Sequence, residues 1–212
     1  NSGAGTSESR DYATAVDADQ IAWLKKDLAY VDPGMTVVVA SHAPLYYPSN
    51  SSSFKASLDG ASELISCFSK FSNVHFFTGH THDIYNVDKM SSANPHFEHN
   101  AGAVCATWWW TWKTCGMNLA RDGAPGGYTI CDFEGKDFEW IFKGYDRSID
   151  YQFRAYDMNK VDSSEFPKGY DTYAGTSANS VLINIWNWDP EWKLSVTEGG
   201  KELSWQQIYD YD

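Results

Sequence analysis

Apolar and polar positions along this chain fall into short blocks, each closed by a turn or cap. Ile21, Leu24 and Leu28 recur at helical spacing behind Asp17 and Asp19, either of which suits an N-cap, so a helix is predicted to about residue 30. Asp32-Pro33-Gly34 is turn chemistry, and the β-branched stretch 36–40 after it predicts a strand. Residues 44–57 are rich in Ser, Tyr and Pro and read as a loop. Leu64, Ile65 and Phe68 place a second helix over 59–71, and the apolar run 74–78 reads as a buried strand. A short strand or turn follows at 84–87. Further on, 126–133 and 136–143 predict a hairpin joined at Glu134-Gly135, with Tyr128, Ile130, Phe138, Trp140 and Phe142 alternating. One more strand is expected at 149–156. A polar, Gly- and Ser-containing connector covers 162–179, and short strands are predicted at 181–186, 192–196 and 205–209.

Histidine follows each of the first two strands. Ser41-His42-Ala43-Pro44 closes one, and Gly79-His80-Thr81-His82-Asp83 closes the other. A strand–helix–strand unit normally runs its strands parallel and brings their ends to one edge. His42, His80 and His82 are therefore expected to converge, three imidazoles suited to a metal ion. Gly79 is expected to supply the sharp turn, and Pro44 to turn the chain out of the sheet. Loops at such an edge carry substrate contacts, which makes Tyr46 and Tyr47 candidates.

Ser-His-Ala-Pro and Gly-His-Thr-His together resemble the last two motifs of the calcineurin-like metallophosphoesterases. The helix Gln20-Ile21-Ala22-Trp23-Leu24-Lys25-Lys26-Asp27-Leu28 resembles the segment before the first of them. Arg121-Asp122-Gly123-Ala124-Pro125-Gly126-Gly127-Tyr128 is similar to a secreted bacterial branch with an added C-terminal β domain. The resemblance implies two divalent metal ions that polarise phosphoryl oxygens and activate the water attacking phosphorus. It implies that His42 and His80 bind one ion and His82 the other. Imidazoles suit zinc, iron or manganese. It also implies a periplasmic or extracellular location.

The family's Asp-x-His, Gly-Asp and Gly-Asn-His motifs, expected upstream of the first helix, do not occur in this sequence. The chain is therefore expected to be the C-terminal half of such an enzyme. It would supply histidine ligands but no catalytic residue, hold at most one ion weakly, and need the N-terminal half as its partner. The expected fold class is α+β: residues 1–157 as part of an αββα sandwich, and residues 158–212 as a small, incomplete β-sandwich-like module.

The charge sharpens the partner. A net charge of −12 with no basic stripe excludes a nucleic-acid backbone as the natural ligand. A small phosphate ester stays compatible, because bound divalent ions dominate the local field. No stretch has the apolar length of a membrane span. Cys67, Cys105, Cys115 and Cys131 lack a Cys-x-x-Cys pair, which argues against structural zinc. Cys67 and Cys131 read as buried free thiols, while Cys105 and Cys115 flank the tryptophan run and could bridge only in an exported protein, their separation not being set by the sequence.

The other histidines divide by context. His75 is expected inside its strand, His96 exposed in a loop, and His99 near the site as a substrate-side candidate. Arg121 offers a planar fork for a phosphate oxygen. Trp108-Trp109-Trp110 puts aromatic surface on both faces of a strand, and Trp109 or Trp112 is a candidate for stacking on a sugar or base. That surplus of tryptophan supports the alternative function, a non-catalytic carbohydrate-binding module.

Overall fold

The computed structural model describes residues 14–50, 53–88, 96–104, 119–120, 122–160, 179–189 and 191–208. Helix α1 spans Ala18–Leu28 and starts as the sequence predicts. Asp17 accepts a hydrogen bond from the Gln20 backbone N–H at 2.8 Å, and the Gln20 side chain accepts from the Asp17 N–H at 3.1 Å. This reciprocal pairing satisfies two of the first turn's free donors.

Strand β1 spans Val37–Ala40. The predicted loop after it is largely a hairpin, with β2 at Tyr46–Asn50 and β3 at Ser53–Ala56. Pro48 is tolerated because this is a two-stranded ribbon with a register shift beside it. Helix α2 is shorter than expected, Ala61–Ser66, and gives way to turns before Phe71. Its N-cap, Gly60, adopts φ +82°, and a Cβ there would lie 2.8 Å from the Val16 carbonyl oxygen. Only glycine fits both constraints.

Strands β4 (Val74–Thr78), β5 (Tyr85–Val87) and β6 (His96–Asn100) join β1 in a four-stranded sheet of order β1-β4-β6-β5. β1 and β4 are parallel, as the strand–helix–strand order requires. β6 is also parallel to β4, and β5 is antiparallel to β6. Val74, Phe76 and Thr78 share one face with their β6 partners His96, Glu98 and Asn100. This face meets α1 and α2 in a core of Ile21, Leu28, Leu64, Ile65, Phe68 and Phe71.

The opposite face carries His75, Phe77, Phe97 and His99, covered by a hairpin of β7 (Gly127–Glu134) and β8 (Asp137–Gly144). The hairpin turns at Gly135, as predicted. Its sides differ from expectation: Tyr128 and Ile130 face outward, while Thr129 and Cys131 lie inward opposite Phe142 and Trp140. The aromatic residues of β8 fill the interior together with Phe133 of β7, whose ring lies 4.4 Å from Phe138 and 5.6 Å from His75.

Strand β9 (Phe153–Asp157) pairs antiparallel with β10 (Val181–Ile185), so strand pairing crosses residue 158. Trp186 follows β10 and is buried against Phe142 and Tyr151. The final hairpin, β11 (Val196–Glu198) and β12 (Lys201–Leu203), hugs its Gly199-Gly200 turn. The expected strands at 192–196 and 205–209 are displaced toward that turn. Small sheets with few helices place the chain in the α+β or mainly β class.

His96 corrects an expectation. It is fully buried beside Phe68 and Phe76, and neither ring nitrogen closes a well-formed hydrogen bond. Burial holds its pKa below the usual histidine range.

Candidate metal centre

The two histidine loops leave the sheet side by side because the ladder continues past the strand ends. The Ser41 N–H donates to the Phe77 carbonyl at 3.0 Å, and the Gly79 N–H donates to the His42 carbonyl at 3.1 Å. His42 Nε2 then lies 3.1 Å from His80 Nδ1, with ring centroids 5.0 Å apart. The His42 ring is solvent-exposed and His80 is half-buried, so the pair faces outward from a rigid edge.

Gly79 does not make the turn. Its φ lies outside the left-handed region, whereas His80 and His82 adopt φ +69° and +65°. Left-handed backbone costs a non-glycine residue about 1–2 kcal/mol, so the loop is held in this form by its surroundings. Those surroundings are polar and buried. Asn100 Nδ2 donates to Thr81 Oγ1 at 2.6 Å and to the Asp83 carbonyl at 2.7 Å. Glu98 accepts from the Leu45 N–H at 2.8 Å, the Tyr46 N–H at 3.0 Å and the Thr78 hydroxyl at 2.8 Å. Burial pushes the Glu98 carboxyl above the usual carboxylate range, and its three donors oppose that shift.

Of the three expected ligands, the structure brings together two. Among the described residues no group of three or more His, Cys, Asp or Glu side chains is placed to hold a metal. Alternating positions 80 and 82 would share a side on an extended strand. The left-handed conformation at both histidines removes that alternation.

His99, the substrate-side candidate, is only 5% exposed and lies in the aromatic layer with His75, Phe97 and Trp140. Pairing of β6 with β4 places it beneath the β7–β8 hairpin, against Phe138 and Trp140. Burial, reinforced by neighbouring His75, lowers its pKa to about 3. Arg121, Trp109, Trp112, Cys105 and Cys115 lie outside the described residues. Cys67 and Cys131 are free thiols, and burial raises Cys131 to about 11.

A cleft of about 330 Å³ opens beside His80, lined by Thr14, Ala43, Pro44, Tyr47, Ser57 and Thr81. Tyr47 therefore stands at the site, whereas Tyr46 packs against the helix-side core. Glu98 and Asn100 carry no motif. Their one sequence signal is two polar residues, two apart, in a segment that has to pair with an apolar strand.

Comparison with known families matches residues 98–212, just over half the chain, to the C-terminal part of calcineurin-like phosphoesterases. The chain belongs to this family. Comparisons with curated proteins and with solved structures give no match. The matched stretch begins at Glu98, so the histidine motifs lie before it. Membership implies hydrolase activity for the full-length calcineurin-like phosphoesterase, and this family usually works with divalent metals.

The His42–His80 pair fits such an ion. Two nitrogens about 2.0–2.1 Å from one metal are separated by roughly 2.9 Å at a right angle and roughly 3.4 Å at a tetrahedral angle. The observed 3.1 Å falls between these limits. Among the described residues the helices are too short and polar to cross a membrane.

Proposed function

We propose that this chain forms the histidine-bearing side of a metal-dependent phosphoesterase centre that hydrolyses small phosphate mono- or diesters. The observation carrying the reading is the 3.1 Å approach of His42 Nε2 to His80 Nδ1 at the joined ends of two parallel strands. These two nitrogens bind one divalent ion, and His82 serves a second. Zinc, iron or manganese suits the imidazoles, with carboxylate ligands coming from outside the described residues. When bound, the ions supply Lewis-acid activation of the phosphoryl group and of the attacking water. The chain's own residues position them, and Tyr47, Thr14 and Thr81 border the cleft where the ester's organic part lies.

The finer architecture follows the same reading. The four-stranded sheet, with helices on one face and the β7–β8 hairpin on the other, represents part of an αββα sandwich. Residues 158–212 carry a β module anchored through β10. Export to the periplasm or cell exterior rests on the resemblance alone.

Dialysis against zinc followed by metal analysis tests the assignment in the wild type, His42→Ala, His80→Ala and His82→Ala. Loss of zinc in the first two variants is expected. Undiminished zinc in both would sink it, and retention on a polysaccharide by a chain that takes up no metal would favour carbohydrate binding.

A further inference from the structure

Glu98 and Asn100 are neighbours on one face of β6, and each grips a different histidine loop. Glu98 is fully buried, yet its carboxylate reaches across to the backbone N–H groups of Leu45 and Tyr46, in the segment leaving His42. Asn100, 2% exposed, spans the loop of His80 and His82 through Thr81 and Asp83. The Asp83 carbonyl can only accept, so the Asn100 amide orientation is fixed, with Oδ1 toward Thr78. Thr78 sits between them. Its hydroxyl lies 2.8 Å from Glu98 Oε1 and 3.1 Å from Asn100 Oδ1, so its single proton is shared by both.

We propose that Glu98 and Asn100 are positioning residues that together set the separation of His42 Nε2 and His80 Nδ1. A hydrophobic pair would seal the sheet at least as well, since a buried carboxylate is destabilising unless its hydrogen bonds offset the lost hydration. What an apolar pair cannot do is hold backbone donors from one loop and a left-handed turn from the other at fixed distances. Glu98 sets where the chain emerges from His42. Asn100 holds Thr81 between two left-handed histidines. Through Thr78, displacement of either loop disturbs the other.

The consequence for metal binding rests on the phosphoesterase reading; the coupling of the two loops does not. The test titrates cobalt(II) into the chain and records its d–d absorption for wild type, His42→Ala, Glu98→Gln, Asn100→Ala, Thr78→Val and Leu64→Ala. Glu98→Gln sets an amide N–H against a backbone donor, and Asn100→Ala frees the His80–His82 loop. Both are expected to weaken cobalt binding about 10–100-fold, as loss of groups that orient ligands does elsewhere, and to alter the band positions. Thr78→Val, the mildest change in shape, gives a smaller shift in the same direction and serves if either of the others fails to fold. Leu64→Ala lowers stability from the same core without touching the loops, and its cobalt affinity stays that of wild type.

Wild-type affinity and spectrum in folded Glu98→Gln, Asn100→Ala and Thr78→Val, with binding lost in His42→Ala, would overturn the positioning role and leave the metal centre standing. A wild-type chain that takes up no cobalt, or loses none of it in His42→Ala, removes the metal centre itself. An equal loss in Leu64→Ala reduces the effect to general stability and also overturns the proposal.

Discussion

His75 Nδ1 lies 3.2 Å from His99 Nε2, and the two rings are inclined by only 18°. Their protons can be placed from the neighbours. Asn73 Nδ2 donates to Thr36 Oγ1 and to the Lys136 carbonyl, so Asn73 Oδ1 must accept, at 2.9 Å, from His75 Nε2–H. His75 Nδ1 is then bare and accepts from His99 Nε2–H. The remaining nitrogen, His99 Nδ1, faces Asn86 Oδ1 at 3.3 Å, because Asn86 Nδ2 is committed to Asn187 and Trp188. Three gaps share two ring protons, and the longest gap is the one left without.

Acid would fill that gap, but burial opposes the charge. Desolvation lowers His75 to about 4 and His99 to about 3, from an ordinary value near 6.5. As pH falls the unfolded chain therefore takes up protons first. The stabilising contribution is complete above about pH 6.5 and is lost as pH falls toward 4 and then 3. Unfolding by urea between pH 7 and 5 should show stability falling more steeply in wild type than in His99→Gln. Equal slopes would show that the pair does not titrate this way.

Two glycines with left-handed backbone separate strain from crowding. Gly60 and Gly135 have φ +82° and +66°, but a Cβ meets the Val16 carbonyl oxygen at 2.8 Å in the first and nothing within 4 Å in the second. Gly135→Ala is expected to cost about 1 kcal/mol from the backbone alone. Gly60→Ala should cost clearly more, about 2–3 kcal/mol, because backbone must move as well. Denaturant midpoints at constant m-value give the comparison, and equal costs would mean that Val16 yields freely.

The N-terminal helix offers a smaller test. Asp17→Ala removes the acceptor for the Gln20 N–H and breaks the reciprocal pairing. A loss of about 1 kcal/mol is expected. Faster amide exchange should be confined to the first turn of α1.

Where local pattern and long-range pairing agree, the chain was readable in advance. The β-branched run of β1, the apolar run of β4 and the helix between them dictated parallel strands, and with them the meeting of His42 and His80. The backbone of His82 follows no such pattern: it is left-handed, a conformation that residue type alone does not signal. His96, after Pro95, has the local look of a loop; only pairing with Val74 makes it core. Tyr128 and Ile130 fit an inward strand pattern as well as Phe138 and Trp140 do, but the register set by the turn pairs them with Lys143 and Ile141, on the face opposite Phe138, Trp140 and Phe142. Glu98 and Asn100 were invisible for a related reason, since buried polar residues declare themselves only when their partners arrive from elsewhere in the chain.

The boundary expected after residue 157 falls at the end of β9, a strand paired to the chain beyond it. β10 hydrogen-bonds to β9 along its whole length, from Val181 opposite Asp157 to Ile185 opposite Phe153. Trp186 is 1% exposed, with Phe142 and Tyr151 against its ring and the Arg154 guanidinium 5.9 Å from its centre. Asn187 accepts from Trp140 Nε1 at 3.0 Å and donates to Thr129 Oγ1 at 2.9 Å, tying the segment to both strands of the hairpin. Removing such a tryptophan leaves a cavity and exposes an aromatic wall, at a cost of about 3–5 kcal/mol for Trp186→Ala. A chain cut after residue 157 loses this contact and the β10 ladder together, so its denaturant midpoint should fall at least as far as that of Trp186→Ala. It should also bind a dye for exposed apolar surface. A truncated chain that keeps the midpoint of the whole would instead make residue 158 a true domain boundary, with β10 an appendage resting on a unit already complete.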